Sequence, residues 1–341
     1  AGVRRMTPGY LKTIGLVTKA EEQKQQMVPG VQSKAPRTDY RTLETVLKEE
    51  FEVRRIRLDE GVVPGDIDVL VIGKLGAMTE KVRFAIDQYL MRGGAVIALA
   101  GMYSIKPQYG ALNAEREDDG LFDLLETYGV EVEQAFVMDS QNSPFPIPVR
   151  ERKGSVYMNR LELVPYPFFP DLRQDGLNSE HFASKGIQSM SMNWSSPVWL
   201  KVAKNESNQI LLDERGLPVI DAEEGVEAEY IAWSSPKSWV KRDTVLEPDF
   251  RTFPGKGFGP PKDALMSRLP VGVTLKGTLK SYFSDRPSPL FEGSDDEDAE
   301  LGDRTGRTIK SSTPEARLVV IGSSDFTADL VAQLGSQLGG G

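Results

Sequence analysis

The chain of 341 residues contains no cysteine and a single histidine, His181. The absence of cysteine excludes disulfides, thiolate metal ligands and a cysteine nucleophile. It indicates no compartment, because a cysteine-free protein suits oxidising and reducing surroundings equally. With one histidine, multi-histidine zinc sites are excluded, and any Ser-His-Asp triad has to use His181.

Long apolar segments are also lacking. The longest, Val69 to Gly73 and Ala95 to Met102, are far shorter than the roughly 20 residues that span a bilayer, and they suit buried strands. The 41 basic residues are outnumbered by 50 acidic ones, which gives a net charge of −9. This charge opposes attraction to phosphate backbones and anionic lipid, so we expect no nucleic acid among the partners. The sequence shows neither an initiator methionine nor a signal peptide, and we expect membrane-anchoring or targeting segments to lie outside it.

Apolar runs and amphipathic segments alternate over the first 140 residues. The pattern predicts helices over Thr38–Glu50, from Thr79 to Gly93 and over Asp119–Tyr128, and strands at Thr13–Thr18, Phe51–Leu58, Asp68–Gly73, Ala95–Ala100 and Val130–Met138. Such a β-α-β alternation is typical of an open doubly wound, mostly parallel α/β sheet of the flavodoxin or Rossmann kind.

The pattern changes near residue 140, where a proline-rich passage leads into short, turn-punctuated strand segments. We expect residues 1–140 to form the first part of the α/β domain and residues 141–270 a β-rich middle insertion. Residues 271–341 would rejoin the sheet through a long exposed strand at Gly272–Phe283, a buried strand at Arg317–Gly322 and a final helix. The acidic stretch at about 285–312 predicts a mobile loop.

A serine-rich turn follows the last predicted strand. Gly322-Ser-Ser-Asp-Phe326 resembles a hydrolase nucleophile elbow, except that Phe326 replaces the second glycine. One interpretation is a helix N-terminus at which Ser323, Ser324 or Asp325 caps backbone amides, where a polar ligand can also rest. The other is a serine hydrolase that uses Ser324 with His181 as general base.

Two segments share the sequence Trp-Ser-Ser-Pro, beginning at Trp194 and Trp233. Aromatic rings beside hydroxyls suit sugars or a partner protein, and the alternative is that both rings anchor the core. Gly255–Gly259 lacks the Lys-Ser or Lys-Thr pair of a phosphate loop, and Asp295–Asp298 lacks calcium-loop spacing. We therefore predict no cofactor and no metal.

Ligands of doubly wound sheets bind beyond the carboxyl ends of the strands. The loops after Val17, Ile72, Leu99 and Ile321 are therefore the candidate surface. They group five residues near one rim: Gly73, Lys74, Gly101, Ser323 and Asp325.

Several segments together resemble the GldG-like auxiliary proteins of ABC transport systems, a gliding-motility-associated family. The most specific runs from Val69–Gly73 through Ala85–Gly94. The weaker ones follow in the same order: Val164–Phe168, Asp175–Asn178, Trp194–Pro197, Ser234–Trp239, Lys280–Phe283 and Ala316–Gly322. Ser324 departs from the family pattern, since an acidic residue is expected before Asp325.

The resemblance implies a periplasmic domain of an inner-membrane protein, held between transmembrane helices beside an ABC-type permease subunit and a separate ATPase. It also implies kinship with a domain of intraflagellar transport proteins, which scaffolds rather than catalyses. We therefore expect a non-enzymatic accessory domain that binds the permease or an envelope polysaccharide or other cargo. A carbohydrate-binding module and a serine hydrolase are the alternatives.

Overall fold

In a computed structural model, the described residues are 11–19, 39–108, 111–117, 120–153, 156–207, 209–211, 218–291 and 308–330. Within them the strands are β1 Thr13–Val17, β2 Glu52–Arg55, β3 Val69–Ile72, β4 Ala95–Leu99, β5 Tyr103–Gln108, β6 Ala111–Arg116, β7 Val130–Val132, β8 Phe136–Asp139, β9 Asn142–Lys153, β10 Val156–Arg173, β11 Ser189–Ser191, β12 Val198–Leu200, β13 Val226–Trp233, β14 Ser238–Lys241, β15 Pro270–Gly277 and β16 Arg317–Ile321. The helices are α1 Arg41–Leu47, α2 Glu80–Met91 and α3 Leu121–Thr127.

A seven-stranded sheet in the order β13-β15-β16-β4-β3-β1-β2 forms the centre of the molecule. The five strands from β16 to β2 pair in parallel, whereas β15 runs antiparallel to both of its neighbours. Strands β1, β3 and β4 are short apolar runs, as is typical of strands that are buried on both faces of a sheet. On one face Leu70 and Ile72 pack with α2, and on the other Leu16 and Val71 pack with Leu43 of α1.

Helix α2 begins where the sequence predicts. The Thr79 hydroxyl accepts a hydrogen bond from the Val82 amide at 3.3 Å, and Glu80 stands in the first turn. A side-chain oxygen at this position satisfies an amide that has no partner inside the helix. None of the helices in the described part of the chain combines the length and the apolar character needed to cross a membrane.

The predicted fold class, an open doubly wound flavodoxin-like or Rossmann-like α/β sheet, is wrong. The protein is mostly β. Among the described residues, three segments form complete α-helices. The strands outside the central sheet form four small antiparallel sheets. The reason lies in the connections. The chain leaves β4 into the hairpin β5–β6 and leaves β8 into the long pair β9–β10, instead of returning through crossover helices.

Other predicted segments differ in their pairing. Val130–Met138 is two strands, because β7 pairs with β12 and β8 pairs with β14. The strand predicted to be exposed at Gly272–Phe283 ends at Gly277 and is buried, since β15 lies between β13 and β16. Strand β13, from the predicted middle insertion, is one of the two edge strands of the central sheet. The three domain boundaries stay a prediction, and much of the predicted mobile loop and of the final helix lies outside the described residues.

Candidate functional site

The carboxyl ends of the parallel strands bring the predicted rim residues together around one buried ion pair. Lys74, just after β3, places Nζ 2.6 Å from Oδ1 of Asp325, which follows β16. Their side chains are 10% and 1% exposed. The second carboxylate oxygen of Asp325 accepts a hydrogen bond from the Ile105 amide at 3.2 Å. Burial raises the pKa of Asp325 above its ordinary value, although Lys74 opposes that rise.

Tyr40 joins the two turns that carry this ion pair. Its hydroxyl donates to the Ser324 carbonyl oxygen at 2.7 Å and accepts from the Lys74 amide at 3.2 Å. The residue is fully buried with a φ of 68°. Burial, followed by the nearby charge of Asp325, raises the pKa of this hydroxyl well above its ordinary value. No local signal in the sequence reveals the role, because its partners are 34 and 284 positions away.

The two rim glycines allow this close packing. A Cβ atom at Gly73 would lie 2.6 Å from the Tyr40 ring, and one at Gly101 would lie 2.7 Å from the Ser324 amide nitrogen. Both distances are shorter than a carbon side chain tolerates. The rim is therefore a packed layer of side chain and backbone.

Ser323 caps the turn after β16. Its hydroxyl accepts hydrogen bonds from the amides of Asp325 at 3.2 Å and Phe326 at 3.1 Å, and it donates to the Asn193 carbonyl oxygen. The geometry thus supports the capping interpretation of this turn. The neighbouring Ser324 hydroxyl is buried and has no hydrogen-bond partner among the described residues.

The structure forms no hydrogen bond between Ser324 and His181. His181 lies in a loop, where Nδ1 accepts a hydrogen bond from the Ala183 amide at 3.2 Å. A general base has to lie within hydrogen-bond reach of its nucleophile, directly or through one water. The direct contact that a Ser-His pair uses is therefore missing here.

Both tryptophans of the repeated motif lie in the core. Trp194 is fully buried, with its ring centroid 4.7 Å from that of Phe169, and its indole nitrogen donates to the Tyr166 hydroxyl at 3.4 Å. Trp233 is 8% exposed and packs on Tyr230. Neither ring presents a face to solvent on which a sugar could stack.

Serines of both motifs form hydrogen bonds to strand β8. The Ser195 carbonyl oxygen accepts a hydrogen bond from the Val137 amide at 2.7 Å. Ser235 donates to the buried Asp139 carboxylate through its hydroxyl at 2.6 Å and its amide at 2.7 Å. Ser196 ties the first motif to the rim, because its amide donates to the Gly322 carbonyl oxygen at 2.6 Å. The motif serines therefore fasten β8 to the central sheet.

A further buried carboxylate, Asp87, which the sequence analysis missed, lies on α2. Asp87 accepts hydrogen bonds from the Tyr128 hydroxyl, the Ser281 hydroxyl, the Tyr282 amide and the Gln88 side chain, all at 2.7–2.8 Å. Burial raises the pKa of Asp87 above its ordinary value, while its side-chain donors oppose the rise. This carboxylate fastens the segment after β15 to helix α2.

A cleft of about 200 Å³ lies between the end of α3 and strands β13 and β15 of the central sheet. Apolar side chains such as Leu200 and Leu275 form part of its lining, and its charged members are Glu126, Lys201, Asp221, Glu223 and Lys280. Across the part of the chain that the structure describes, no group of three or more His, Cys, Asp or Glu residues is arranged to hold a metal ion.

Comparison with known proteins gives one match along nearly the whole chain. The model of a family described as an ABC-type uncharacterized transport system matches residues 11–339. A search of curated proteins gives no match. Among solved structures, a ThuA-like protein from Bacteroides uniformis ATCC 8492 is similar over 77% of this chain and 76% of its own, with 13% identity and a TM-score of 0.31. That score supports no inference about fold or function.

Proposed function

Because the chain belongs to this family of auxiliary components of ABC-type transport systems, we propose that it is a non-enzymatic accessory domain that binds the permease subunit of such a system. Through the permease it would act beside a separate ATPase. The same proposal includes a finer assignment. The protein would be periplasmic, membrane-anchored and GldG-like, a member of the gliding-motility group with kinship to intraflagellar transport proteins.

The observation that carries the proposal is the filled rim of the central sheet. The place where an open α/β sheet would bind a ligand is occupied by the chain's own groups: Tyr40, the pair Lys74–Asp325 and the turn at Ser323. Each polar group just named is bonded to another part of the chain. Such an arrangement suits a rigid platform better than a substrate pocket.

The segments that resemble the GldG-like family have structural partners, which also favours a scaffold. Asp87, within the segment Ala85–Gly94, bonds Ser281 and Tyr282 of the segment Lys280–Phe283. Ser235, within the second Trp-Ser-Ser-Pro motif, bonds Asp139. The side chains that carry the resemblance therefore hold strands and helices together. The buried tryptophans favour a protein partner over an envelope polysaccharide.

Co-expression with the permease and the ATPase of its transport system tests the proposal. We expect the chain to co-purify with the permease whether or not the ATPase is present, and to retain the ATPase only when the permease is present. A chain that retains neither subunit, although it is folded, would contradict the partner assignment.

Substitution of Ser324 by alanine tests the non-enzymatic part. The hydroxyl has no partner among the residues that the structure describes, so its loss leaves every bond of the rim in place. We expect Ser324→Ala to keep wild-type stability, permease binding and transport. Loss of transport by a variant that still folds and still binds the permease would instead favour catalysis by this serine.

A further inference from the structure

Residues 250–268, which we name the basic loop, combine positive charge with exposed apolar side chains. They contain four bases and one acid, Asp263; Arg268 pairs with Asp175 and Arg251 lies beside Asp249, which leaves Lys256 and Lys262 as the bases without an ion pair to a described residue. Leu265 is 90% exposed, and Phe250 and Met266 are 44% and 41% exposed. Exposed apolar side chains that stand among bases are typical of an interaction surface.

The basic loop is held firmly to the body of the protein. Phe258 is buried and packs edge-to-face on Tyr166 and Phe168, with ring centroids 5.4 and 5.6 Å apart. Near the other end, the Ser267 amide donates to the Ser238 carbonyl oxygen at 3.0 Å, and Arg268 forms an ion pair with Asp175 at 2.7 Å. Leu265 therefore lies between two fixed points of the loop, Phe258 and Ser267.

Two bases of the basic loop are available for an external anion. Lys256 and Lys262 are exposed, and neither forms an ion pair with any described residue. Arg251 is also exposed and lies near Asp249. Charges separated by more than about 8 Å are largely screened at physiological ionic strength, so a surface that touches this loop responds mainly to the charges of the loop itself, although the net charge of the whole chain opposes the contact.

We propose that the basic loop docks on an anionic membrane surface. Leu265, Met266 and Phe250 would enter the boundary between headgroups and acyl chains, and Lys256 and Lys262 would lie among lipid phosphates. A lipid surface fits better than a protein partner, because lysine is depleted from the apolar centres of protein interfaces, whereas here Lys256 and Lys262 lie in the same loop as the exposed apolar side chains. The proposal adds a lipid contact to the accessory role, but its test uses the chain alone.

Co-sedimentation of the 341-residue chain with vesicles tests the proposal. We expect binding to vesicles of phosphatidylcholine mixed with phosphatidylglycerol, weak binding to phosphatidylcholine alone, and release at high salt. Lys256→Gln/Lys262→Gln should lower partitioning by about fivefold per base, roughly 25-fold in all. Leu265→Gln should lower it by about tenfold, because a leucine loses its burial in the interface. The matched control is Lys81→Gln/Lys204→Gln, two exposed lysines outside the loop, which should bind as wild type.

Equal binding to both kinds of vesicle, or equal binding by the loop variants and the control, would overturn the proposal. If the loop variants bind vesicles normally but no longer co-purify with the permease, the basic loop docks on protein and the lipid assignment is wrong. If wild type binds anionic vesicles but never the permease, the accessory function fails while the lipid contact stands. Equal unfolding midpoints for all variants would exclude misfolding as the cause.

Discussion

Replacing Lys74 by methionine would leave the Asp325 carboxylate buried without its cation. The two side chains are 2.6 Å apart, and Asp325 is only 1% exposed, so water cannot replace the ammonium without opening the rim. Methionine is similar in length to lysine and fills most of its volume. The variant therefore isolates the loss of charge from a loss of packing.

Removal of one partner of a buried ion pair costs about 3–5 kcal/mol, because the other charge remains desolvated. We expect about 3 kcal/mol for Lys74→Met, since the Ile105 amide still donates to the carboxylate. Asp325→Asn should cost less, about 1–2 kcal/mol, because the long lysine side chain can turn toward solvent. The double variant should lie within about 1–2 kcal/mol of wild type, which gives a favourable coupling free energy of about 2–4 kcal/mol.

Urea unfolding followed by tryptophan fluorescence measures these free energies. Urea is preferable to guanidinium chloride, because it does not add ions that screen the pair. A double variant whose loss equals the sum of the two single losses, or a Lys74→Met loss below about 1 kcal/mol, would refute the reasoning that the pair is buried and coupled.

The difference in stability between Lys74→Met and wild type should depend on pH. The pKa of Asp325 is raised by burial, so the folded protein takes up this proton at a higher pH than the unfolded chain does. Without Lys74 the pKa rises further, because the opposing ammonium is gone. The loss of stability of Lys74→Met relative to wild type is therefore complete above the pKa of Asp325 in the folded variant, and it shrinks as the pH falls through that pKa. We expect a smaller difference from wild type at about pH 5 than at about pH 8, and an unchanged difference would contradict the linkage.

Two further substitutions test the buried contacts elsewhere. Asp87→Ala should destabilise the protein by about 3 kcal/mol in thermal unfolding, because donors such as the Tyr128 hydroxyl lose their acceptor. The control is Asp123→Ala, which removes an exposed carboxylate on α3 and should stay within about 0.5 kcal/mol of wild type. Gly101→Ala should cost about 1–3 kcal/mol in urea unfolding, because its methyl group would meet the backbone of Ser324 at 2.7 Å. Wild-type stability of either Asp87→Ala or Gly101→Ala would show that the surrounding contacts are looser than described.

The sequence predicts those parts of the structure whose causes are local. The apolar run at Val69–Ile72 and the Thr79 cap are set by neighbours a few residues away, and both stand as expected. The grouping of Lys74 with Asp325 was also predictable, because parallel strands bring their carboxyl ends to one edge.

The pairing of β9 with β10 could not be predicted in the same way. The prolines at 144, 146 and 148 argued against a long strand, yet β9 lies at the edge of its sheet, where a missing amide hydrogen has no cost when it faces away from the partner. Edge position is a property of the whole sheet. The burial of Trp194 likewise depends on Tyr166 and Phe169, which only the folded β10 brings near.

The place of β16 in the central sheet has a consequence for the order of folding. It is the last described strand in the chain, yet it lies between β15 and β4 and pairs with both. Until Arg317–Ile321 has been synthesised, β4 and β15 each present an unpaired strand edge, and the sheet stands in two parts. Such edges can pair with other chains. The central sheet can therefore close only after synthesis has passed Ile321, and until then the facing edges of β4 and β15 are open to pairing with other chains.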